Sequence, residues 1–392
     1  MMRRIWAAAV AGLALVTMAR AASAQGLDIR FYPDKALHSY ELAGERGLQG
    51  VLVQNVAVVN TSARAVTLER GTVTVESGSE PVTTRHLSSA DLDKAGKRGD
   101  RLAQAGLLQA YAFQFRPDRL LPKDAKIAAT RQVEPGAALL LGHVYLAFTG
   151  APDRVVVRVE GRSADGQPLV ADASIPLDTK PTATAYDFPL AGTWFIGAGP
   201  SLQDHHRWVV PEEFALDIAR LGEGSKSFRG DGAKRGDYYA YGEPVLAAAD
   251  GVVRSVETGA TETDDVLRKP GETAEAYGER MNALQAQLLA QGTKGIAGNY
   301  VVLEHAGNEF SLYAHLQPGS VQVKAGDAVK RGQVIARLGT SGNSTEPHLH
   351  FQVTDGPEPL LSAGIPIQFR NVDLPWATGP RALQSGDLVV TR

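Results

Sequence analysis

The sequence of 392 residues predicts a mainly β protein in which two domains are joined by a short linker. Short segments in which apolar and polar residues alternate occur along most of the chain, and Gly or Pro ends most of them. Only two stretches, 88–112 and 272–291, are rich enough in strong helix formers to predict long helices. The polar, proline-containing stretch 178–184 separates the two halves, and residues 180–184 are the expected linker.

The first domain is expected at residues 25–179 as a β-sandwich-like unit, because its strands are short and are separated by turn residues. The stretch 88–112 interrupts this pattern and predicts a helix with Ser88 or Ser89 as its N-cap, inserted across one end of the sandwich. Strands are expected at residues 50–60, 66–68, 71–75, 138–146 and 154–159. Three scattered histidines lack partners at metal-ligand spacing and are expected to be structural or solvent-facing: His38, His86 and His143.

The second domain is expected at residues 185–392 and is again mostly β. An insertion at 257–298 interrupts one hairpin and contains the predicted helix 272–291. This insertion is either a surface decoration or a wall or lid beside a functional site. Strands are expected at residues 244–249, 251–256, 299–305, 309–315, 333–338 and 348–353.

The N-terminus predicts a secretory signal peptide at residues 1–24. Arg3 and Arg4 precede an apolar run at 5–18, and the small residues at 22–24 form a cleavage site before Gln25. The apolar run is shorter than the roughly 20 residues that span a bilayer. We therefore expect an exported protein, periplasmic or extracellular, with no transmembrane segment after cleavage.

Composition narrows the possible chemistry. The net charge is −3, and no basic cluster predicts binding to nucleic acid. The chain has no cysteine, which excludes disulfides and thiolate zinc sites, so any zinc ion must be held by imidazole and carboxylate groups. Six of the nine histidines lie between residues 205 and 350.

The pair His348 and His350 is the strongest local signal. The residues after Pro347 alternate as in a strand, and side chains two apart on a strand share a face. One imidazole can then bind a metal ion while the other transfers a proton. Two histidines on a solvated strand face would give the same pattern, so the pair alone does not distinguish a metal site from such a face.

A series of further motifs, in a fixed order, accompanies this pair. It resembles the lysostaphin/LytM-type zinc metallopeptidases in order, spacing and turn residues, over roughly residues 204–369. This resemblance implies an antiparallel-β metallopeptidase domain of that type. The motifs are Tyr239-Ala240-Tyr241-Gly242-Glu243-Pro244, Gly298-Asn299-Tyr300, Tyr313-Ala314-His315-Leu316, Lys324-Ala325-Gly326-Asp327, Gly339-Thr340-Ser341-Gly342-Asn343-Ser344 and His348-Leu349-His350.

The resemblance also implies site residues. His350 corresponds to a zinc ligand, and His348 and His315 correspond to the two catalytic histidines. The family's other two ligands are an upstream His and Asp, usually with three residues between them, and the chain departs from that pattern at Asp237. His206 and Asp217 resemble a longer-spaced variant and are the predicted ligands, with His205 as the alternative to His206.

The implied function is a zinc-dependent endopeptidase that hydrolyses peptide cross-links of bacterial peptidoglycan with a metal-activated water. Histidine would act as the base, because the chain lacks a His-Glu-x-x-His motif. One alternative is a non-catalytic, wall-binding regulator of other hydrolases, and another is a secreted zinc protease that acts on proteins or a glycan-directed enzyme. Aromatic residues expected near the groove would permit sugar stacking: Trp208, Tyr238, Tyr239 and Tyr241.

Overall fold

The computed structural model of the protein describes residues 26–42, 47–377 and 381–392. The predicted signal peptide at 1–24 lies outside the described residues. Strands are the main secondary structure and helices are few, which confirms the predicted mainly β class. No helix in the described part of the chain has the length and apolar character needed to cross a bilayer.

The N-terminal region, which we define as residues 26–178, contains strands of 2 to 12 residues around a main apolar core. In its described residues, β1, β5 and β9 form one sheet, β10, β4 and β3 form a second, and β2, β12, β11, β6 and β7 form a third, with β8 paired to β6. The strands are β1 (Leu27–Tyr32), β2 (Leu37–His38), β3 (Tyr40–Glu41), β4 (Leu48–Val53), β5 (Asn55–Asn60), β6 (Val66–Ser77), β7 (Glu80–Leu87), β8 (Gln132–Val133), β9 (Ala138–Leu141), β10 (Val144–Thr149), β11 (Arg154–Ser163) and β12 (Pro168–Asp178).

The predicted helical interruption of the N-terminal region is present. Ser88 is the N-cap, and its hydroxyl accepts from the backbone N–H of Asp91 while the Asp91 carboxylate accepts from the backbone N–H of Ser88. This reciprocal capping box satisfies amide groups that the first helical turn leaves free. The helices are α1 (Ser89–Gln104), α2 (Leu107–Ala110), α3 (Ala112–Phe115) and α4 (Pro117–Leu120).

Two strands predicted as continuous are broken in the structure. The stretch 50–60 divides at Gln54 into β4 and β5, which belong to different sheets. The stretch 138–146 divides at Gly142 and His143 into β9 and β10, and these also belong to different sheets. A Cβ at Gly142 would lie 2.1 Å from the Gln54 carbonyl oxygen. Because glycine lacks a Cβ, the two positions where the chain passes from one sheet to another can pack together.

The C-terminal region, which we define as residues 185–392, has a separate apolar core. Within its described residues, the strand order of the main sheet is β19-β16-β17-β18-β21-β14-β13-β23-β22, and β15 pairs with β20. The strands are β13 (Thr193–Ala198), β14 (Leu216–Ala219), β15 (Pro244–Leu246), β16 (Gly251–Glu257), β17 (Tyr300–Glu304), β18 (Phe310–Ala314), β19 (Ala328–Val329), β20 (Val334–Arg337), β21 (Leu349–Thr354), β22 (Val372–Asp373) and β23 (Leu388–Thr391). Neighbouring long strands are antiparallel, as predicted.

The predicted insertion separates β16 from β17 and contains the helices α5 (Ala274–Leu289) and α6 (Thr293–Ala297). The hydroxyl of Thr273 caps α5 by accepting from the backbone N–H of Ala276. No residue of α5 is buried, so this helix lies on the surface of the protein along its whole length.

The N-terminal and C-terminal regions share a third apolar cluster. Tyr32 and Val59 from the N-terminal region pack there with Val210 and Ala363 from the C-terminal region. The Tyr32 hydroxyl also lies within hydrogen-bonding distance of the Leu361 carbonyl oxygen, at 3.4 Å. This cluster places the N-terminal region beside the segment that follows His206.

Candidate active site

A cleft of about 410 Å³ lies between the main sheet and the two helical segments. One wall comes from α3 of the N-terminal region, and the other comes from α5 of the insertion. The insertion is therefore a wall of the cleft and not only a surface decoration, which decides between the two possibilities that the sequence left open. The residues that the two walls contribute are Tyr111, Phe113, Gln114, Met281, Asn282, Gln285 and Leu289.

Two adjacent strands bring Asp217 and His350 together at the floor of the cleft. Asp217 on β14 is the register partner of His350 on β21, although 132 positions of sequence lie between them. The His350 Nδ1 atom lies 3.0 Å from the Asp217 Oδ1 atom. The prediction that these two residues share one site therefore agrees with the geometry of the sheet.

The ring of His350 is oriented from behind by Gln352, two residues further along β21. The Gln352 Nε2 group donates to the Pro359 carbonyl oxygen at 2.8 Å, so the Gln352 Oε1 atom faces the imidazole. His350 Nε2 lies 2.9 Å from this oxygen and must donate to it. In the neutral imidazole the lone pair is then on Nδ1, which points into the cleft. Sequence reasoning missed Gln352, although its position two residues after His350 on a strand indicates a shared face.

His206 reaches the same site from outside the sheet. It begins a single turn of 3₁₀ helix (His206–Trp208), and its side chain is buried, with Nε2 at 3.5 Å from Asp217 Oδ2. The preceding residue, His205, is 72% exposed in its side chain and pairs with Asp204 at 2.9 Å. The structure therefore places His206, and not His205, with Asp217 and His350.

The two histidines that the resemblance marks as catalytic complete the group. His315 Nδ1 lies 2.8 Å from the Ser341 carbonyl oxygen, and His348 Nδ1 lies 2.7 Å from the Glu346 carbonyl oxygen. A carbonyl oxygen only accepts, so both Nδ1 atoms are protonated and both neutral imidazoles have their lone pair on Nε2. The His348 Nε2 atom lies 3.4 Å from Asp217 Oδ1, and the His315 and His348 rings are 4.8 Å apart.

His315 has a backbone conformation that is uncommon for its residue type. Its φ angle is 61°, in the left-handed region. Its backbone N–H donates to the Ala297 carbonyl oxygen at 3.0 Å, and its carbonyl oxygen accepts from Gly339 at 3.1 Å. These two bonds hold the conformation and direct the imidazole into the cleft. Strained backbone of this kind is concentrated at functional sites.

The electrostatics of the group indicate a site for a cation. Burial opposes the ionisation of Asp217, but the charges of His206 and His348 hold the pKa of this carboxyl well below its usual range. Burial also opposes protonation of His350, yet the hydrogen bond that the protonated imidazole donates to the Asp217 carboxylate raises the pKa of His350 to about 9. For His315, burial dominates and its pKa lies well below the ordinary value. A carboxylate and the lone pair of His350 Nδ1 face each other at 3.0 Å, and only a proton or a metal ion between them makes that approach favourable.

The donor set fits a zinc ion. Ligand atoms of His206, Asp217 and His350 all lie within 4.8 Å of one another. Two imidazoles and one carboxylate are a combination found at catalytic zinc sites, which keep a further position open. The hydrogen bond from His350 to Gln352 is the kind of outer contact that fixes a ligating imidazole.

One expectation from the sequence is wrong. The aromatic residues expected near the groove do not line it, since Tyr238 packs against Val266 and the Tyr241 hydroxyl donates to Glu262. Tyr111 and Phe113 of the N-terminal region line the cleft instead. Their contribution could not be predicted, because it depends on the packing of two regions that are distant in sequence.

Comparison with known proteins identifies a family for part of the chain. Residues 237–360 match the profile of Peptidase family M23. "Peptidoglycan DD-endopeptidase ShyB" of Vibrio cholerae is 45% identical over 73 residues, which are 18% of this chain and 17% of that protein. "DD-carboxypeptidase/endopeptidase Mpg" of Neisseria meningitidis is 38% identical over 77 residues, 20% of this chain and 17% of that protein. The chain thus aligns with less than a fifth of the length of these two relatives.

Among solved structures, the catalytic domain of lysostaphin from Staphylococcus simulans is 18% identical, with a TM-score of 0.24 over 44% of this chain and 88% of that one. The profile match includes His315, His348 and His350, while His206 and Asp217 precede it. The predicted family resemblance is confirmed by the profile and by the named relatives. At residues 237–360, the chain carries a domain of Peptidase family M23.

Proposed function

We propose that the protein is a zinc-dependent endopeptidase that hydrolyses peptide cross-links of bacterial peptidoglycan after export from the cytoplasm. One observation carries this proposal. Three donor residues, His206, Asp217 and His350, converge within 4.8 Å at the floor of a cleft. Beside them lie two further imidazoles, which carry a proton on Nδ1 and a lone pair on Nε2. A zinc ion bound there would supply Lewis acidity, which lowers the pKa of water and polarises a carbonyl group.

The two remaining imidazoles provide the proton chemistry of amide hydrolysis. His315 and His348 are fixed by their Nδ1–H bonds to backbone carbonyls, so each presents Nε2 to the cleft. Nε2 of one ring can accept the proton of the attacking water and later give it to the leaving amine. The other ring, once protonated, can stabilise the negative charge that develops on the carbonyl oxygen. Both rings are buried, and they flank strands of the main sheet, since His315 follows β18 and His348 precedes β21.

The charge of the cleft supports an endopeptidase over a carboxypeptidase. Among the described residues that line it, none is Lys or Arg, and Glu212 adds a carboxylate beside the histidines. An enzyme that removes a terminal residue must hold a free carboxylate next to the scissile bond, and Arg or Lys commonly does so. This cleft favours a substrate chain that continues in both directions through amide bonds.

The substrate class rests on the relatives and on the expected export. The names of two relatives include peptidoglycan DD-endopeptidase and DD-carboxypeptidase/endopeptidase activities. The predicted signal peptide would deliver the protein to the compartment that contains peptidoglycan. An open cleft of about 410 Å³ suits an extended peptide, which a cross-link provides.

The test is digestion of purified peptidoglycan, followed by mass analysis of the products. We expect cross-linked dimers to become monomers with new amine ends, and we expect a chelator to stop the reaction. A cross-linked dimer and a monomer with a free carboxyl end should be offered in parallel, and only the dimer should be cut. If zinc binds at full occupancy and neither wall substrate is cut, the peptidoglycan assignment fails and a panel of extended protein substrates becomes the next assay.

A further inference from the structure

His206 lacks the local support that the other histidines of the site have. Its Nδ1 atom is buried and has no hydrogen-bond partner among the described residues, whereas His315, His348 and His350 each have one ring nitrogen bonded to an oxygen away from the cleft. His206 also lies in a single 3₁₀ turn and not in a strand. The direction of its imidazole therefore depends on where the backbone of this turn is held.

That backbone is held by two glutamines of the N-terminal region. Gln54 Nε2 donates to the Arg207 carbonyl oxygen at 3.3 Å, and Gln114 Nε2 donates to the Trp208 carbonyl oxygen at 3.1 Å. Arg207 and Trp208 are the two residues that directly follow His206. Gln114 is itself positioned by Asn55, whose Nδ2 group donates to the Gln114 carbonyl oxygen at 3.0 Å.

A buried ion pair joins the same contact. Arg207 is 1% exposed and lies 2.8 Å from the Glu213 carboxylate, and its guanidinium stacks on the rings of Tyr40 and Phe214 at 5.2 and 5.0 Å. Gln54 Nε2 also donates to Glu213 Oε2 at 2.9 Å. One amide group of the N-terminal region thus bonds both ends of the segment that leads from His206 towards Asp217.

The two glutamines come from separate elements of the N-terminal region. Gln54 occupies the single residue between β4 and β5, where the chain passes from one sheet to another, and its side chain is 2% exposed. Gln114 lies on α3, in the helical segment that interrupts the N-terminal region, and lines the cleft. Two separate elements of that region thus converge on two consecutive carbonyl oxygens beside one ligand.

We infer that the N-terminal region is a positioning element of the metal site, and that Gln54 and Gln114 act by fixing the backbone that carries His206. This inference rests on the metal site of the proposed function. The N-terminal region would then contribute to metal affinity, although it lies outside the profile match at 237–360 and supplies none of the three ligands. Contacts just outside a ligand set typically contribute about 10- to 100-fold to metal affinity.

The experiment measures zinc affinity in the full chain by competition with a chromophoric chelator. The variants are Gln54→Met and Gln114→Met, which keep side-chain length and remove the N–H donors. Gln167→Met is the matched control, because Gln167 is exposed in the turn between β11 and β12 of the same region. Hydrogen exchange of residues 205–213 in the zinc-free protein is measured alongside, together with the melting temperature of each zinc-free variant.

We expect zinc affinity to fall about tenfold or more in each glutamine variant and to stay at the wild-type value in Gln167→Met. Exchange in 205–213 should become faster in the two glutamine variants. Unchanged zinc affinity in Gln114→Met overturns the inference even if the more deeply buried Gln54→Met fails to fold, since Gln114 is only partly buried. A wild-type protein that binds no zinc contradicts the proposed function instead.

Discussion

The proposed zinc ligands reach the cleft from two kinds of scaffold. Asp217 and His350 lie on adjacent strands in the interior of the main sheet, and Gln352 on the same strand orients the His350 ring. His206 lies on one turn of 3₁₀ helix whose carbonyl oxygens are bonded by Gln54 and Gln114 from the N-terminal region. The strand ligands are thus positioned from within the C-terminal region, and the turn ligand is positioned from outside it.

One site can therefore depend both on strand pairing within a sheet and on side-chain contacts between two regions. Ladder hydrogen bonds fix β14 and β21 at several points, so the backbone of either strand keeps its position when one neighbouring side-chain contact is lost. The turn has few such bonds, and its position depends on long-range side-chain contacts. Variants of residues on the strands and on the turn should therefore distinguish three effects: loss of a ligand, loss of proton transfer and loss of ligand orientation.

The largest effect is expected from the strand ligands. His350→Ala and Asp217→Ala should each abolish stoichiometric zinc, because either change removes a donor from a three-residue set. Metal analysis of the purified variants measures this directly. Zinc should also raise the melting temperature of the wild type and not of these variants, since a ligand that binds only the folded state stabilises it. Retention of one zinc per chain in either variant would remove that residue from the ligand set.

The next effect distinguishes the neighbouring histidines of the turn. His206→Ala should lose stoichiometric zinc, whereas His205→Ala should keep it, because His206 is buried against Asp217 and His205 faces solvent. Asp237→Asn is a further control, because its carboxylate accepts from the backbone N–H of Lys234, outside the cleft. The opposite pattern, with zinc lost only in His205→Ala, would show that the turn rearranges when metal binds.

A third effect should leave the metal in place. His348→Ala and His315→Asn should retain zinc and lose turnover on the order of 10²-fold or more, because each removes a group for proton transfer or for stabilisation of the oxyanion. Asn is chosen at 315 because it tolerates the left-handed backbone there. Turnover of a cross-linked dimer and zinc content are measured on the same samples. Wild-type turnover in one variant would exclude that histidine from the chemistry.

The smallest effect tests the orientation of a strand ligand. Gln352→Met removes the acceptor for His350 Nε2 and should weaken zinc binding about tenfold. Hydrogen exchange of residues 205–213 should not change, in contrast to the Gln54 and Gln114 variants. Faster exchange there would show that the two scaffolds are coupled, and the comparison between them would no longer hold.

Much of the strand scaffold could be predicted from the sequence. His348 and His350 form a motif within three residues, and alternation along 348–353 predicted the strand that the structure places at β21. A cap at Ser88 or Ser89 was also predicted for the first long helix, and the structure has Ser88 there, because a cap depends on residues three positions apart. These predictions succeed where local chemistry determines local structure.

The rest of the site could not be predicted because it depends on long-range packing. Ten residues separate His206 from Asp217, and nothing local to His206 indicates that Gln54 and Gln114 bond the carbonyl oxygens after it. The break at Gln54 was likewise missed, because the polar residues Gln54 and Asn55 between two apolar runs do not by themselves predict a change of sheet, which depends on packing against Gly142. The ligand choice at His206 came from family resemblance and not from any property of the turn.

The left-handed backbone of His315 has a consequence for how this protein can evolve. Holding the histidine in such a conformation costs of the order of 1–3 kcal/mol, and Gly, or to a lesser degree Asn, would reduce this cost. Selection for heat resistance alone would therefore favour replacement of the residue proposed to act on the substrate. A lineage freed from the need for catalysis should lose its histidine at 315 early, and a relative that has Gly or Asn there can be recognised as a stabilised, inactive descendant.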